Sequence, residues 1–110
     1  MSNADLVFGA LADATRRAIL ELLREREGMP AGQIAANFGQ ISRPAVSKHL
    51  RVLRAAGLVR SHDRGREIHY ALDARPLADV QRDWLQQFVP MWEESLQRLK
   101  QRAEHPRAGQ

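Results

Sequence analysis

The chain has 110 residues, of which 44% are apolar and 27% are charged, the composition of a single globular domain. It contains no cysteine, which excludes disulfides, thiolate metal sites and thiol-based redox switches. The amino terminus has no basic segment followed by an apolar stretch, and no apolar run approaches the ~18 residues that span a membrane. We therefore expect a cytoplasmic protein with no membrane partner.

The first three helices are predicted from apolar spacing and from capping residues. An apolar segment at residues 5–11 comes first, and Asp13 then has a suitable side chain to cap a helix over residues 13–26. A short helix follows over residues 31–38. Gly39 stands where a left-handed glycine would end it.

A fourth helix and a hairpin come next. Ser42 is placed to cap a helix that ends at Gly57, and Pro44 falls in its first turn, where no N–H is needed. Two extended runs, residues 58–62 and 67–72, are joined by the sequence DRGR, whose glycine suits a tight turn.

The last predicted element is one long helix over residues 75–102, kinked at Pro90. Residues 105–110 hold no large apolar side chain and are expected to form a disordered tail, which leaves residues 1–104 as one domain. The predicted order is α-α-α-α-β-β-α. A mainly helical chain with a β-hairpin in this order is a winged helix-turn-helix.

Positive charge is concentrated in residues 42–72. This segment holds seven Lys and Arg residues against two acidic ones, so its net charge is +5, whereas the whole chain carries +4. A block of this kind indicates a polyanion such as duplex DNA as partner.

The fourth helix is the predicted recognition helix. At about 100° per residue, Val46, Leu50 and Leu53 form one buried stripe, and the opposite face is small near its start and cationic further on. Such a face suits a DNA major groove. The candidate DNA-binding residues of this helix are Ser42, Arg43, Pro44, Ser47, Lys48, His49 and Arg51.

The roles expected within this set differ. Base contacts are expected from Arg43 and Ser47, and phosphate contacts from Lys48 and Arg51. Capping alone explains Ser42. His49 flanks the buried stripe, so a packed, hydrogen-bonded histidine and a DNA contact both remain open.

The hairpin is the predicted wing. Arg64 and Arg66 flank Gly65 at its tip, where they can contact phosphates along the DNA backbone or minor groove. The alternative is an edge hairpin that carries charge only to prevent aggregation.

Two stretches, LADATRRAILELL and IAANFGQISRPAVSKHLRVLRAAGLVRSHDRGREIHYAL, resemble the ArsR-type family of bacterial winged-helix repressors. The run PAVSKHLRVLRAAGLV with its basic wing is the most specific part, and the resemblance covers about residues 5–100. It implies a homodimer that binds a palindromic operator, commonly at its own promoter, and represses by excluding RNA polymerase. It also implies an interface formed by the first and last helices, with Leu6, Phe8, Leu11, Trp84, Phe88, Met91, Trp92 and Leu96.

Metal sensing of the kinds known in the family is not expected. The family's C-x-C pair is replaced by GQIA at residues 32–35, and its D-x-H-x-x-H pattern retains Asp79 but has Gln81 and Trp84 in place of the histidines. The histidines show no pairing at helical spacing. We therefore predict no metal and no cofactor. The four histidines are His49, His62, His69 and His105.

Three alternatives to a DNA-binding repressor without an effector are a repressor released by a small-molecule ligand, a protein–protein interaction module and an enzyme. Trp84, Phe88 and Trp92 are spaced by four and share a helix face, which dimer packing explains most simply. They also suit a cavity for a small-molecule ligand that releases the repressor. A winged helix used for protein–protein contact would usually lose the basic surface. An enzyme is not expected, because the sequence has no cysteine nucleophile, glycine-rich phosphate loop or H-E-x-x-H motif.

Overall fold

The computed structural model describes residues 2–104, and the chain divides into a first unit that ends at Ala78 and a second that begins at Asp79. The helices are α1 Asn3–Leu11, α2 Ala14–Arg24, α3 Ala31–Ala36, α4 Arg43–Ala55, α5 Arg75–Asp83 and α6 Val89–Glu104, with a 3₁₀ helix at Leu85–Phe88. The strands are β1 Met29–Pro30, β2 Val59–Arg64 and β3 Glu67–Leu72, which form an antiparallel sheet in the order β1-β3-β2. The predicted winged helix-turn-helix is confirmed, with α3 and α4 as the helix pair and β2 and β3 as the wing. The expected tail at residues 105–110 lies outside the described residues.

Local hydrogen bonds start the helices where the sequence predicts. The carboxylate of Asp13 accepts the N–H of Arg16 at 3.0 Å, and the hydroxyl of Ser42 accepts the N–H of Ala45 at 3.2 Å. Helix α1 begins with a capping box that the sequence reading missed, in which Ser2 and Asp5 bond each other's backbone N–H. Among residues 2–104, no helix is both long and apolar enough to cross a bilayer.

The end of α4 is a Schellman motif built on Gly57. The N–H of Gly57 donates to the carbonyl of Arg54, and the N–H of Leu58 donates to that of Leu53. Gly57 has φ +76°, a left-handed conformation that glycine adopts without steric penalty. The prediction that Gly57 ends this helix is confirmed, and the motif sets the direction in which the chain enters β2.

The predicted role of Gly39 is wrong. Helix α3 ends at Ala36, and Asn37 and Phe38 close it with right-handed i→i+3 bonds to Ile34 and Ala35. Gly39 does not have positive φ, because this 3₁₀-like closure needs no left-handed residue.

The hairpin is tighter than predicted, and it belongs to a three-stranded sheet. Arg64 pairs with Glu67, so the turn is only the two residues between them, and Gly65 takes φ +67°. Strand β1 was not predicted, because two residues that include a proline carry no alternation pattern. It pairs with the outer side of β3 through Met29 and Tyr70.

The final helical segment is interrupted before Pro90, at Trp84 and the 3₁₀ helix Leu85–Phe88, rather than kinked at the proline. Pro90 has no N–H to bond the carbonyl of Gln86, which instead accepts the N–H of Val89 in 3₁₀ geometry. Pro90 is therefore the second residue of α6, a position where the missing N–H has no cost. The predicted single helix over residues 75–102 is therefore wrong, because α5 ends at Asp83 and α6 begins at Val89.

Candidate nucleic-acid interface

The buried and exposed faces of α4 are as predicted. Val46, Leu50 and Leu53 are at most 1% exposed and form part of the core of the first unit, together with Ile19 and Leu23 of α2. The exposed residues of α4 and its cap are Ser42, Arg43, Pro44, Ser47, Lys48, Arg51, Val52, Arg54 and Ala55. This helix is therefore fixed by its apolar stripe and presents a small, then cationic, face to solvent.

A polar groove of about 270 Å³ lies between α4 and the wing. Arg43 and Ser47 line it from the helix, and Arg66 and Tyr70 line it from the wing side. Its remaining lining residues are Pro30, Ala31, Glu67 and Ile68. A smaller hollow beside it is lined by Ser47, Leu50, Arg51, Arg54 and Tyr70.

Tyr70 lines both hollows, and sequence reasoning missed it. Strand alternation places Tyr70, Ile68 and the partner residue Ser61 on the same face of the hairpin, and Tyr70 and Ile68 line the groove. The strand pattern predicts that alternate residues share a face of the hairpin, but it does not predict which of the two faces packs against α4. That assignment depends on the packing of the hairpin against the helix.

Arg43 lies beside the start of α3. Its guanidinium carbon would be 3.9 Å from a Cβ atom added at Gly32, the second residue of α3, so the two groups are neighbours. Arg43 remains exposed and still lines the groove between helix and wing. The position gives the guanidinium access to an anion or base edge within that groove.

The wing tip carries two exposed cations, while a third arginine of the hairpin is held by an acidic residue. Arg64, Gly65 and Arg66 are all exposed. Arg60 is also exposed, but its Nε lies 2.9 Å from Asp73 Oδ2 in an ion pair. The Asp73 carboxylate is 11% exposed. Hydrogen bonds from Arg75 hold the pKa of Asp73 well below its usual range, with charge from Arg60 adding to the effect.

His49 faces α2 rather than solvent. Its side chain is 23% exposed, and its Nδ1 lies 3.4 Å from Nη1 of Arg16 and 3.9 Å from a carboxylate oxygen of Asp13. The pKa of Asp13 is lowered, chiefly by the hydrogen bond from the backbone N–H of Arg16 and less by the charge of the Arg16 guanidinium. Of the two readings of His49 that the sequence left open, this geometry favours the packed, hydrogen-bonded one.

Two other histidines meet on the wing. His62 and His69 are directly opposed on β2 and β3, on the face that carries Arg60 and Arg64. His69 Nδ1 is buried without a hydrogen-bond partner, and its Nε2 lies 3.8 Å from Glu67. Within residues 2–104 no group of three or more His, Cys, Asp or Glu side chains has the arrangement of a metal site. His105 lies outside the described residues.

The second unit presents an apolar face on the 3₁₀ helix and α6. Leu85, Phe88, Val89, Met91, Trp92 and Ser95 line a shallow groove of about 420 Å³. Met91 and Trp92 are both 67% exposed, and the exposed set continues along α6 with Leu96 and Leu99. Trp84 and Phe88 pack edge to face with ring centroids 4.9 Å apart.

The candidate interface residues on α1 are less exposed than those on α6. Phe8 is 38% exposed, while Leu6 and Leu11 are half-buried. Of the eight residues predicted to form a dimer interface, six are therefore exposed apolar side chains. Exposed apolar faces of this extent are typical of surfaces that bind another protein chain.

Comparison with known proteins places these features among transcriptional regulators. Residues 11–62 match a family model described as a helix-turn-helix domain. The transcriptional repressor SdpR of Bacillus subtilis (strain 168) is 41% identical over 83 residues, which make up 76% of this chain and 89% of SdpR. A crystal structure of an ArsR family transcriptional regulator superposes with a TM-score of 0.72 at 33% identity, over 84% of this chain and 98% of the other. An ArsR-like transcriptional regulator from Rhodococcus sp. RHA1 gives 0.70 at 37% identity, over 90% and 91% of the two chains.

Proposed function

The chain belongs to the ArsR-type family of winged helix-turn-helix transcriptional regulators, and we propose that it is a metal-independent cytoplasmic repressor that binds a palindromic operator as a homodimer. The observation that carries the proposal is the exposed basic face of α4, with the exposed arginines of the wing beside it. A regulator of this kind needs binding surfaces for DNA and for a second copy, and no catalytic centre.

In the proposed complex, α4 enters the DNA major groove with its amino-terminal half. Ser42, Pro44 and Ser47 are small, so the backbone of the helix can approach the base pairs closely. Arg43 reads a base edge beside Ser47, since guanidinium groups pair well with guanine O6 and N7. Lys48 and Arg51 then neutralise phosphates further along the helix.

The groove between α4 and β3 receives a phosphate of the DNA backbone. Arg66 and Tyr70 line this hollow from the wing side and Ser47 lines it from α4, and all three have side chains that can donate hydrogen bonds. Such donors suit a phosphate oxygen, although the carboxylate of Glu67 at the same hollow opposes an anion. We therefore add Tyr70 to the proposed DNA-binding residues.

The wing supplies affinity rather than sequence discrimination. Arg64 and Arg66 lie at the exposed tip, where they meet the phosphate backbone or the minor groove. His49 is left out of the proposed contacts, because its ring faces α2.

The exposed apolar residues of α1 in the first unit, and those of the 3₁₀ helix and α6 in the second unit, are the proposed contacts with a second copy. A stable dimer interface buries at least about 1,000 Å² and has an apolar centre rich in aromatic and methionine side chains. Phe88, Met91, Trp92 and Leu96 have this composition and are all at least 44% exposed. Two copies would then place their recognition helices about one DNA turn, on the order of 34 Å, apart.

The decisive experiment compares two duplexes by fluorescence anisotropy. One is the DNA upstream of the protein's own gene, and the other is a scrambled duplex of the same length and composition. We expect the first to bind at least about a thousandfold more tightly, with two chains per duplex and affinity that falls steeply with salt. Equal binding to the two duplexes would contradict an operator at this promoter. No binding even at low salt would favour a winged helix that contacts proteins instead.

A further inference from the structure

One guanidinium group joins three helices of the first unit. Nε of Arg16 in α2 donates to the carbonyl of Ala10 at 2.8 Å, and its Nη2 donates to that of Gly9 at 3.1 Å, so both bonds satisfy carbonyls in the last turn of α1. The third nitrogen, Nη1, lies 3.4 Å from Nδ1 of His49 in α4. A single planar side chain therefore connects the end of α1 with the recognition helix.

The contact determines which role Nδ1 of His49 plays towards Arg16. An arginine guanidinium is always charged and can only donate, so His49 Nδ1 must act as the acceptor. At 3.4 Å this hydrogen bond is long, and the carboxylate of Asp13, which accepts the backbone N–H of Arg16 at 3.0 Å, lies 3.9 Å from the same ring nitrogen.

We propose that Arg16 and His49 are positioning residues that fix the rotation and depth of α4 for operator reading. His49 directly follows Lys48 on the recognition helix, so a restraint on its ring sets where Ser47, Lys48 and Arg51 point. Since α1 belongs to the proposed dimer interface, the same guanidinium ties the orientation of α4 to the pairing of two copies. The inference rests on the proposed function.

The neighbouring residue Arg17 provides a matched control. Its Nη1 donates to the carbonyl of Leu11 at 2.7 Å, so it also satisfies the last turn of α1. This bond stays within α1 and α2 and does not include α4. Arg16→Gln and Arg17→Gln both remove a guanidinium from the end of α1, whereas Arg16→Gln alone also removes the contact with His49.

Two substitutions of His49 test the positioning role directly. In His49→Asn the amide oxygen can occupy the place of Nδ1, the atom that faces Arg16, whereas the longer chain of His49→Gln places its amide near Nε2. We expect His49→Asn to keep the ratio of operator to scrambled-duplex affinity within about twofold of the wild-type ratio. We expect His49→Gln and Arg16→Gln to lower that ratio roughly tenfold, the size of one lost hydrogen bond to a charged group. Affinity for the scrambled duplex, and the salt dependence, should be unchanged in all of them.

Thermal unfolding of each variant separates positioning from simple loss of stability. A merely structural role predicts that His49→Gln lowers the melting temperature while the affinity ratio at 25 °C stays that of the wild type, and this result would overturn the inference. The inference would also be overturned if His49→Asn and His49→Gln gave the same ratio of operator to scrambled-duplex affinity. The same holds if Arg16→Gln and Arg17→Gln gave the same ratio. If the wild-type protein itself fails to discriminate between the duplexes, the proposed function fails and takes this inference with it.

Discussion

The arginines of the wing provide a prediction with an internal control. Arg64 and Arg60 lie four residues apart on the same strand and on the same face, and both are exposed. They differ in one respect, because Arg60 is held by Asp73 at 2.9 Å. If wing cations bind DNA phosphates, Arg64→Gln should weaken the salt dependence of binding and Arg60→Gln should leave it nearly unchanged.

The size of the effect follows from counterion release. Each phosphate contact contributes about 0.9 to the slope of log affinity against log salt. Between about 50 and about 200 mM salt, the wild-type protein should therefore lose about 3.5-fold more affinity than Arg64→Gln. Over the same salt range, the wild-type protein should lose about 12-fold more affinity than the double variant that combines Arg64→Gln with Arg66→Gln.

The assay is a salt series of anisotropy titrations on one duplex with all four proteins. Circular dichroism of each variant checks that the fold is intact. Equal slopes for Arg64→Gln and Arg60→Gln would refute the reasoning, since they would show that the ion pair with Asp73 does not withdraw Arg60 from DNA. A slope for Arg64→Gln equal to that of the wild type would remove the wing from the phosphate contacts.

Three further predictions concern stability and assembly. Gly57→Ala should lower the free energy of unfolding in urea by about 1–2 kcal/mol, because a side chain at φ +76° is strained and its Cβ would meet Pro76 at 3.4 Å. Gly39→Ala is the control, and an equal loss there would contradict this account. Trp92→Glu should abolish the dimer in sedimentation velocity while Trp92→Phe keeps it; a dimeric Trp92→Glu would move the interface elsewhere. Since the pKa of Asp73 is lowered by folding, the stability it supplies should be complete above about pH 4 and decline as the pH falls further. Between about pH 5 and about pH 2, the free energy of unfolding should fall less steeply in Asp73→Asn than in the wild-type protein. Identical pH dependence in the two proteins would contradict a stabilising role of the Asp73 carboxylate.

The parts of the fold that were predicted correctly depend on short-range chemistry. Asp13 and Ser42 cap their helices through bonds to residues three positions on, so the side chain and the pattern that follows it are sufficient evidence. The same holds for Gly57, which ends α4 by bonds within five residues. The buried stripe of α4 follows from helical periodicity alone.

The parts that were missed depend on contacts between distant segments or on competing local rules. Tyr70 belongs to the candidate site only because the hairpin turns one particular face toward α4, which no pattern within the strand specifies. The surroundings of His49 depend on Arg16, 33 positions away. Pro90 suited both a kink within a helix and the first turn of a new one, and the sequence alone does not distinguish the two.

The two tryptophans of the chain, Trp84 and Trp92, both lie in the second unit and are 46% and 67% exposed. No tryptophan lies in the core of the first unit. The intrinsic fluorescence of the protein therefore reports on the apolar face of the second unit and not on the packing around α4. Covering that face with a second chain should shift the emission to shorter wavelength, so association can be followed at nanomolar to micromolar concentration without an attached dye. DNA titrations followed by an extrinsic label and dimer titrations followed by tryptophan emission then give independent signals from the same sample.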